Sequence, residues 1–228
     1  MRRELTLVLL VYGVYLLVAR IVLRRDGRDR ARRNAERIVT VEKRLGIHVE
    51  PALQRAVLRF PRAVHGLNMG YAVFNFGLAA TWCAFLYGSR DPEYRRVSRA
   101  CLLGHLGAQP VFLLMPTAPP RALEGFVDTI GEVSGFDMEH PTFVRLYNPV
   151  AAMPSLHVTF AVVTGAAMAD RASSRTLKAA AHGYPAMVAF VIAATGNHYV
   201  LDAVAGAALG WAARAAGSAV AGRRSVRW

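Results

Sequence analysis

The chain has 228 residues, 54% of them hydrophobic, and a formal net charge of +13. It is too apolar for an ordinary soluble domain, and its basic residues lie between apolar runs. The charge therefore points to anionic lipid headgroups and membrane topology, and away from nucleic acid. Cys83 and Cys101 form no CxxC pair, which excludes a disulfide framework or a cysteine metal site and leaves both as packing residues.

Leu5 to Leu23 is apolar apart from Thr6 and Arg20 and is long enough to cross a bilayer. It lacks a small-residue cleavage site and is followed by arginines, so it reads as a retained anchor. Arg24 to about Arg44, the first part of a basic segment at 24–66, is dense in charge. Ile38, Val41 and Leu45 recur there at helical spacing among arginines and lysines, which predicts either an amphipathic helix in the membrane interface or a solvated basic linker. Further spans are expected at Leu67 to Gly88, Ala100 to Met115, Pro154 to Ala169, Ala179 to Gly196 and Tyr199 to Ala221. The expected fold is all-α: a polytopic six-transmembrane-helix bundle with an interfacial amphipathic helix. Its parts are a first membrane helix (1–23), a basic interfacial segment (24–66) and a catalytic membrane domain of five further spans (67–228).

Six spans place both termini on one side. The basic turns at 89–99 and 171–178 and the tail residues Arg223, Arg224 and Arg227 share that side, which the positive-inside tendency makes cytoplasmic. The acidic 117–152 loop then lies outside. The basic 24–66 segment falls outside as well, against the rule, so either it rests on the membrane holding anionic lipid or the first helix does not span.

Candidate chemistry converges at the outer level. Arg121 follows the third span, His157 opens the fourth, and His198 and Asp202 lie between the fifth and sixth. At i, i+4 on a helix, His198 and Asp202 would share a face, and the carboxylate would fix the imidazole tautomer. The other ring nitrogen would then be left as a nucleophile or base, and His157 could protonate a leaving oxygen as a general acid. Pro154 suits a first helical turn, and free amides around Ser155 and Leu156 would make an anion site there. Arg121 would add a guanidinium for phosphate oxygens. Asp128 and Asn148, in the outer loop, either face substrate or brace the loop. A metal site would need a third ligand, and none is in view. His48, His65, His105, His140 and His182 lack such partners in the sequence and read as structural or exposed.

Ala-Met-Pro-Ser-Leu-His at 152–157 and Asn-His-Tyr-Val-Leu-Asp at 197–202 resemble the second and third signature motifs of the type 2 phosphatidic acid phosphatase superfamily. They are closest to its inositol phosphorylceramide synthase and sphingomyelin synthase-like branch. Pro-Pro-Arg at 119–121, Asp128-Thr129 and Asn148-Pro149 are similar to that branch's outer loop. The resemblance covers roughly residues 115–210. It implies a metal-independent enzyme without cofactors, with His198 as nucleophile, Asp202 as its partner, His157 as acid and Arg121 on phosphate.

Three positions depart from the phosphatase pattern. Leu156 stands where that form has glycine, Ile192 where it has arginine, and Leu114 where it has lysine. A transferred phospho-headgroup carries less charge than a monoester and needs fewer cations, which favours the inositol phosphotransferase-like branch. The expectation is therefore transfer of a phosphoryl or phospho-headgroup on a lipid through a phosphohistidine. The site would face outward from the plasma membrane, with an alcohol or polyol acceptor. Hydrolysis of a polyprenyl phosphate or phosphatidate is the alternative, and a non-catalytic lipid-binding or transport protein the second.

Overall fold

The structure is a computed structural model that describes residues 2–24, 26–71, 75–138 and 140–222. The tail arginines 223, 224 and 227, and Glu139 of the acidic loop, lie outside the described residues. Eleven α-helices are described: α1 (Arg2–Leu23), α2 (Gly27–Leu45), α3 (Glu50–Leu58), α4 (Pro61–Met69), α5 (Asn75–Gly88), α6 (Glu93–Leu114), α7 (Thr129–Glu132), α8 (Pro141–Val144), α9 (Leu156–Arg171), α10 (Arg175–Ala194) and α11 (Val200–Gly222). Among the described residues, α1, α6 and α10 are long and apolar enough to cross a membrane, against the six spans expected. The apolar helix at 76–88 is shorter, and 72–74, inside the expected second span, lie outside the described residues.

Helix α9, at 16 residues, is shorter than α1, α6 and α10 and lies at the centre of the bundle. Thirteen of its sixteen residues are buried, because α5, α6, α10 and α11 all pack on it. A helix apolar or small all round belongs at the centre of a bundle. The surrounding helices carry the apolar surface outward. Leu5, Val8, Leu9, Leu10 and Leu17 of α1, Met187 and Phe190 of α10, and Trp211 of α11 are all exposed. Exposed apolar side chains on several helices are the kind of surface a lipid bilayer covers.

Small residues set the close approaches. Pro185 in α10 donates no hydrogen bond to the Ala181 carbonyl one turn earlier. Gly165 of α9 approaches that same carbonyl so closely that a Cβ would sit 2.6 Å from it. A Cβ on Gly206 of α11 would lie 2.4 Å from the Ser155 carbonyl oxygen. The Thr159 hydroxyl joins this contact, within hydrogen-bond distance of the Ser155 and Gly206 carbonyls at 2.9 Å each. Gly206→Val must separate α9 from α11. We expect it to cost about 1–3 kcal/mol of stability, read as a lowered unfolding midpoint in detergent, whereas Val204→Ala on the exposed face leaves the midpoint near parental.

The basic segment opens as a helix, α2, rather than as a solvated linker, and it presents two faces. Ile38 is buried, but Val41 and Leu45 are 43% and 61% exposed. The inward face of α2 is Ala31, Ala35, Ile38 and Glu42. Its alanines allow the backbone to approach the 114–118 loop. Ala118 N–H donates to the Ala31 carbonyl at 3.1 Å, the Asn34 amide donates to the Pro116 carbonyl at 2.8 Å, and Arg30 donates to the Leu114 carbonyl at 3.3 Å. The segment is thereby pinned to the end of the bundle where α6 ends and α9 and α11 begin.

Candidate active site

Three chain segments interlock at that end. Thr117 N–H donates to the Val150 carbonyl at 2.7 Å and Ala152 N–H to the Thr117 carbonyl at 3.1 Å, an isolated parallel bridge that joins the proline-rich loop after α6 to the residues before α9. Arg121 N–H donates to the Gly196 carbonyl at 2.8 Å, and Ser155 N–H to the Asp202 carbonyl at 3.0 Å. These bonds bring 117–121, 148–157 and 196–202 into one layer. Buried side chains brace the layer from behind: Gln54 pairs with the Val127 backbone in both directions, and the Asn68 amide donates to the Thr129 carbonyl at 2.7 Å.

Helix α9 starts later than the sequence suggested. Ser155 is its N-cap, with the hydroxyl accepting from Val158 N–H at 3.4 Å, so Pro154 stands outside the helix and His157 is its second residue. The Ser155 amide, expected to be free for an anion, is committed to Asp202. Leu156 lines the site cavity.

His198 likewise precedes α11. Gly196 takes a left-handed conformation (φ 71°), and the following amides of Asn197 and His198 both donate to the Ile192 carbonyl, at 2.9 and 3.1 Å. The turn projects the His198 ring toward α9. Its ring centroid lies 5.5 Å from that of His157, with the planes at 63°. Tyr71 stacks on His157 at 4.4 Å and Phe76 flanks it at 4.7 Å. Both imidazoles are buried.

Nδ1 of His198 lies 2.9 Å from the Ala152 carbonyl and 3.4 Å from Asp202 Oδ2. A carbonyl only accepts, so Nδ1 carries the proton and Nε2 keeps its lone pair. The tautomer is therefore held first by Ala152, where the sequence assigned this to Asp202. Asp202 Oδ2 accepts instead from Tyr199 N–H at 2.9 Å and stands beside the ring. Burial, with the Arg121 guanidinium adding to it, pushes the His198 imidazole down to about 3. That shift favours the neutral ring.

The two histidines open into a cavity of about 280 Å³, bounded also by Arg121, Asn148, Asn197, Tyr71 and Tyr15. Arg121 is fixed by its bond to the Asn197 side-chain oxygen and by Asp128, 3.8 Å from Nε. Asp128 is mainly a brace: its Oδ1 accepts from Ile130 and Gly131 N–H at 3.1 and 3.3 Å, capping α7. Asn148 divides its roles. Its Oδ1 accepts from Val150 N–H at 3.2 Å, its backbone N–H donates to the Tyr15 hydroxyl at 2.7 Å, and its buried Nδ2 has no protein partner. A buried donor without a partner is costly unless something fills that role, and a phosphate oxygen in the cavity would.

A second cavity of about 410 Å³ shares Pro119, Arg121, Met138 and Pro149 with the first and is lined by Arg28 and Arg32 of α2. The basic segment thus delivers arginines to the approach to the site. Sequence reasoning passed over Asn197, Tyr71 and Tyr15. Asn197 adjoins His198 and its polarity at a span edge was a signal; the two tyrosines carry none apart from their fold contacts.

A sequence model of the PAP2 superfamily matches residues 36–216. The chain belongs to the PAP2 superfamily. It is an enzyme acting on lipid phosphate, and with its apolar helices a membrane protein. The match begins inside α2, so the basic segment from residue 36 onward is part of the PAP2 unit. No curated protein and no solved structure matches the chain.

The Arg121 contacts give a PAP2 prediction. Arg121→Lys keeps the charge but cannot span both Asn197 and a phosphate in one plane. We expect kcat/KM to fall by about 10- to 100-fold, the loss of one or two charge-assisted hydrogen bonds. Asp128→Asn, which keeps a capping oxygen, should cost less than Arg121→Lys in the same assay.

Proposed function

We propose that this PAP2 enzyme transfers a phosphoryl or phospho-headgroup from a lipid through a phosphohistidine on His198, in the manner of an inositol phosphotransferase. The observation that carries it is the facing pair, His157 and His198, across one cavity with the Arg121 guanidinium at its wall.

In the first half-reaction His198 Nε2 attacks phosphorus, the bond from phosphorus to the lipid oxygen breaks, and His157 gives its proton to that oxygen. Arg121 and Asn148 Nδ2 hold the phosphoryl oxygens as charge develops. Asp202 stabilises the positive charge that appears on His198. The anionic substrate in turn favours the imidazolium form of His157 before reaction. In the second half, His157 takes the proton of an incoming hydroxyl, whose oxygen attacks phosphorus, and the P–N bond to His198 breaks. The chemistry draws its positive charge from Arg121 and the two imidazoles, and no step calls for a metal at phosphorus.

Water and an alcohol both fit this second step, so hydrolysis is the second reading. The apolar Leu156 at the cavity wall favours a lipid-derived or polyol acceptor over a water-filled monoester pocket. In this proposal six spans, built on α1, α4–α5, α6, α9, α10 and α11, place the site on the outer face of the plasma membrane.

The test is a panel of lipid phosphates and phospholipids given to purified protein with and without inositol or other polyols, with products read by mass spectrometry. Acceptor-dependent formation of a phospho-alcohol is the expected result. Release of inorganic phosphate from monoester lipids, with no acceptor product, would assign the enzyme as a phosphatase.

A further inference from the structure

Glu42, His48 and Glu50 take no part in the steps above, yet their side-chain ligand atoms all lie within 4.8 Å of one another. The backbone brings them together. Gly46, in a left-handed conformation (φ 69°), ends α2. Gly46 N–H donates to the Lys43 carbonyl and Ile47 N–H to the Glu42 carbonyl, at 3.2 and 2.9 Å. The chain reverses there, and His48 and Glu50, the first residue of α3, return onto Glu42. His48, which read as partnerless in the sequence, is therefore flanked by two carboxylates.

Both glutamates are 0% exposed, and the His48 side chain is 14% exposed. Each carboxylate divides its oxygens. Glu42 Oε1 accepts from Leu201 N–H at 2.8 Å and Glu50 Oε1 from Val200 N–H at 2.7 Å, so both cap the first turn of α11. The remaining oxygens face His48 Nδ1, at 3.4 Å for Glu42 and 3.1 Å for Glu50. Glu50 Oε2 is fully buried and has no hydrogen-bond partner despite that proximity. His48 Nδ1 lies within hydrogen-bond distance of Glu42 Oε2 at 3.4 Å but is not aligned to donate to Glu50 Oε2, so that oxygen faces the cluster unanswered by the ring.

Two buried carboxylates demand compensating charge. The separations suit a metal ion: ligands about 2.1 Å from a common centre lie about 3.0–3.4 Å apart in octahedral or tetrahedral geometry. Amide bonds that hold the outer oxygen of each carboxylate are the outer-sphere support that orients metal ligands. One imidazole nitrogen with two carboxylate oxygens is a donor set for zinc or manganese.

We propose that Glu42, His48 and Glu50 bind one divalent cation of the zinc or manganese kind, reached from the partly exposed His48 side. The cation fastens the α2–α3 corner to the opening amides of α11, directly before Asp202. It is a positioning site, away from phosphorus, and it stands whether the enzyme transfers or hydrolyses.

The test uses full-length protein in detergent, stripped with a chelator, then loaded with Zn²⁺ or Mn²⁺ and desalted. Bound metal is measured by elemental mass spectrometry and stability by the thermal midpoint. The expected result is about one equivalent retained and a raised midpoint. In His48→Ala and Glu50→Gln retention should drop by at least about tenfold and the midpoint should no longer respond to metal. Should Glu50→Gln fail to fold, His48→Ala carries the comparison, since it preserves both carboxylate–amide bonds. Failure of the parent to retain either metal, or equal retention by parent and variants, would overturn the proposal. So would a lowered midpoint in His48→Ala with no metal bound by the parent, because the imidazolium would then be the balancing charge.

Discussion

His198→Gln is expected to lower turnover on every lipid the parent accepts by about 10⁴-fold or more, the scale on which enzymes lose activity with their nucleophile. Glutamine matches the ring's reach, and its amide N–H can still donate to the Ala152 carbonyl that now receives Nδ1 at 2.9 Å. It offers no nucleophilic lone pair in place of Nε2. Substrate binding should survive, because Arg121 is anchored independently through Asn197 and Gly196. The result to look for is a large fall in kcat with little change in KM, together with loss of the protein-bound label after a brief exposure to a radioactive phospholipid donor. Persistence of an acid-labile label in the variant would sink the assignment of His198.

His157→Gln should have the second largest effect, and its size should depend on the leaving group. A lipid alkoxide must be protonated as it departs, so loss of the general acid is expected to slow the first step by about 10²- to 10⁴-fold. A phenolic leaving group departs without a proton. With an aryl phosphate donor, formation of the labelled enzyme should stay within about tenfold of the parental rate. Breakdown of the label still needs His157 to take a proton from the acceptor, so phosphoenzyme should accumulate with aryl donors. Equal slowing of label formation for alkyl and aryl donors would mean that His157 only shapes the cavity, through its stacking with Tyr71 and contact with Phe76.

Much of the site was legible because its residues stand at span edges. A polar residue at the end of an apolar run is confined to one level of the bundle, so Arg121, His157, His198 and Asp202 could be brought to one face by counting spans. Their partners were less legible. Backbone carbonyls carry no sequence signal, and it is the Ala152 carbonyl that holds the His198 tautomer. The Ser155 amide looked free because its acceptor, the Asp202 carbonyl, is 47 residues on and meets it only when α9 packs on α11. The protein-facing side of α2 was not legible for a related reason. Apolar periodicity selects large side chains, whereas the observed contact uses Ala31 and Ala35 to let two backbones meet.

By itself the sequence determined the helical class, the membrane setting and the family, and it singled out the two histidines that the fold brings face to face. Those follow from composition, the length of apolar runs and short motifs, which act locally. Only the tertiary structure decided that the basic segment belongs to the site end of the bundle, that Arg28 and Arg32 line its approach, and that Glu42, His48 and Glu50 converge behind α11. Those depend on a left-handed turn at Gly46 and on amides exposed at the start of a helix some 150 residues away. Burial then makes the meeting consequential, because charges that water would screen are left to balance one another.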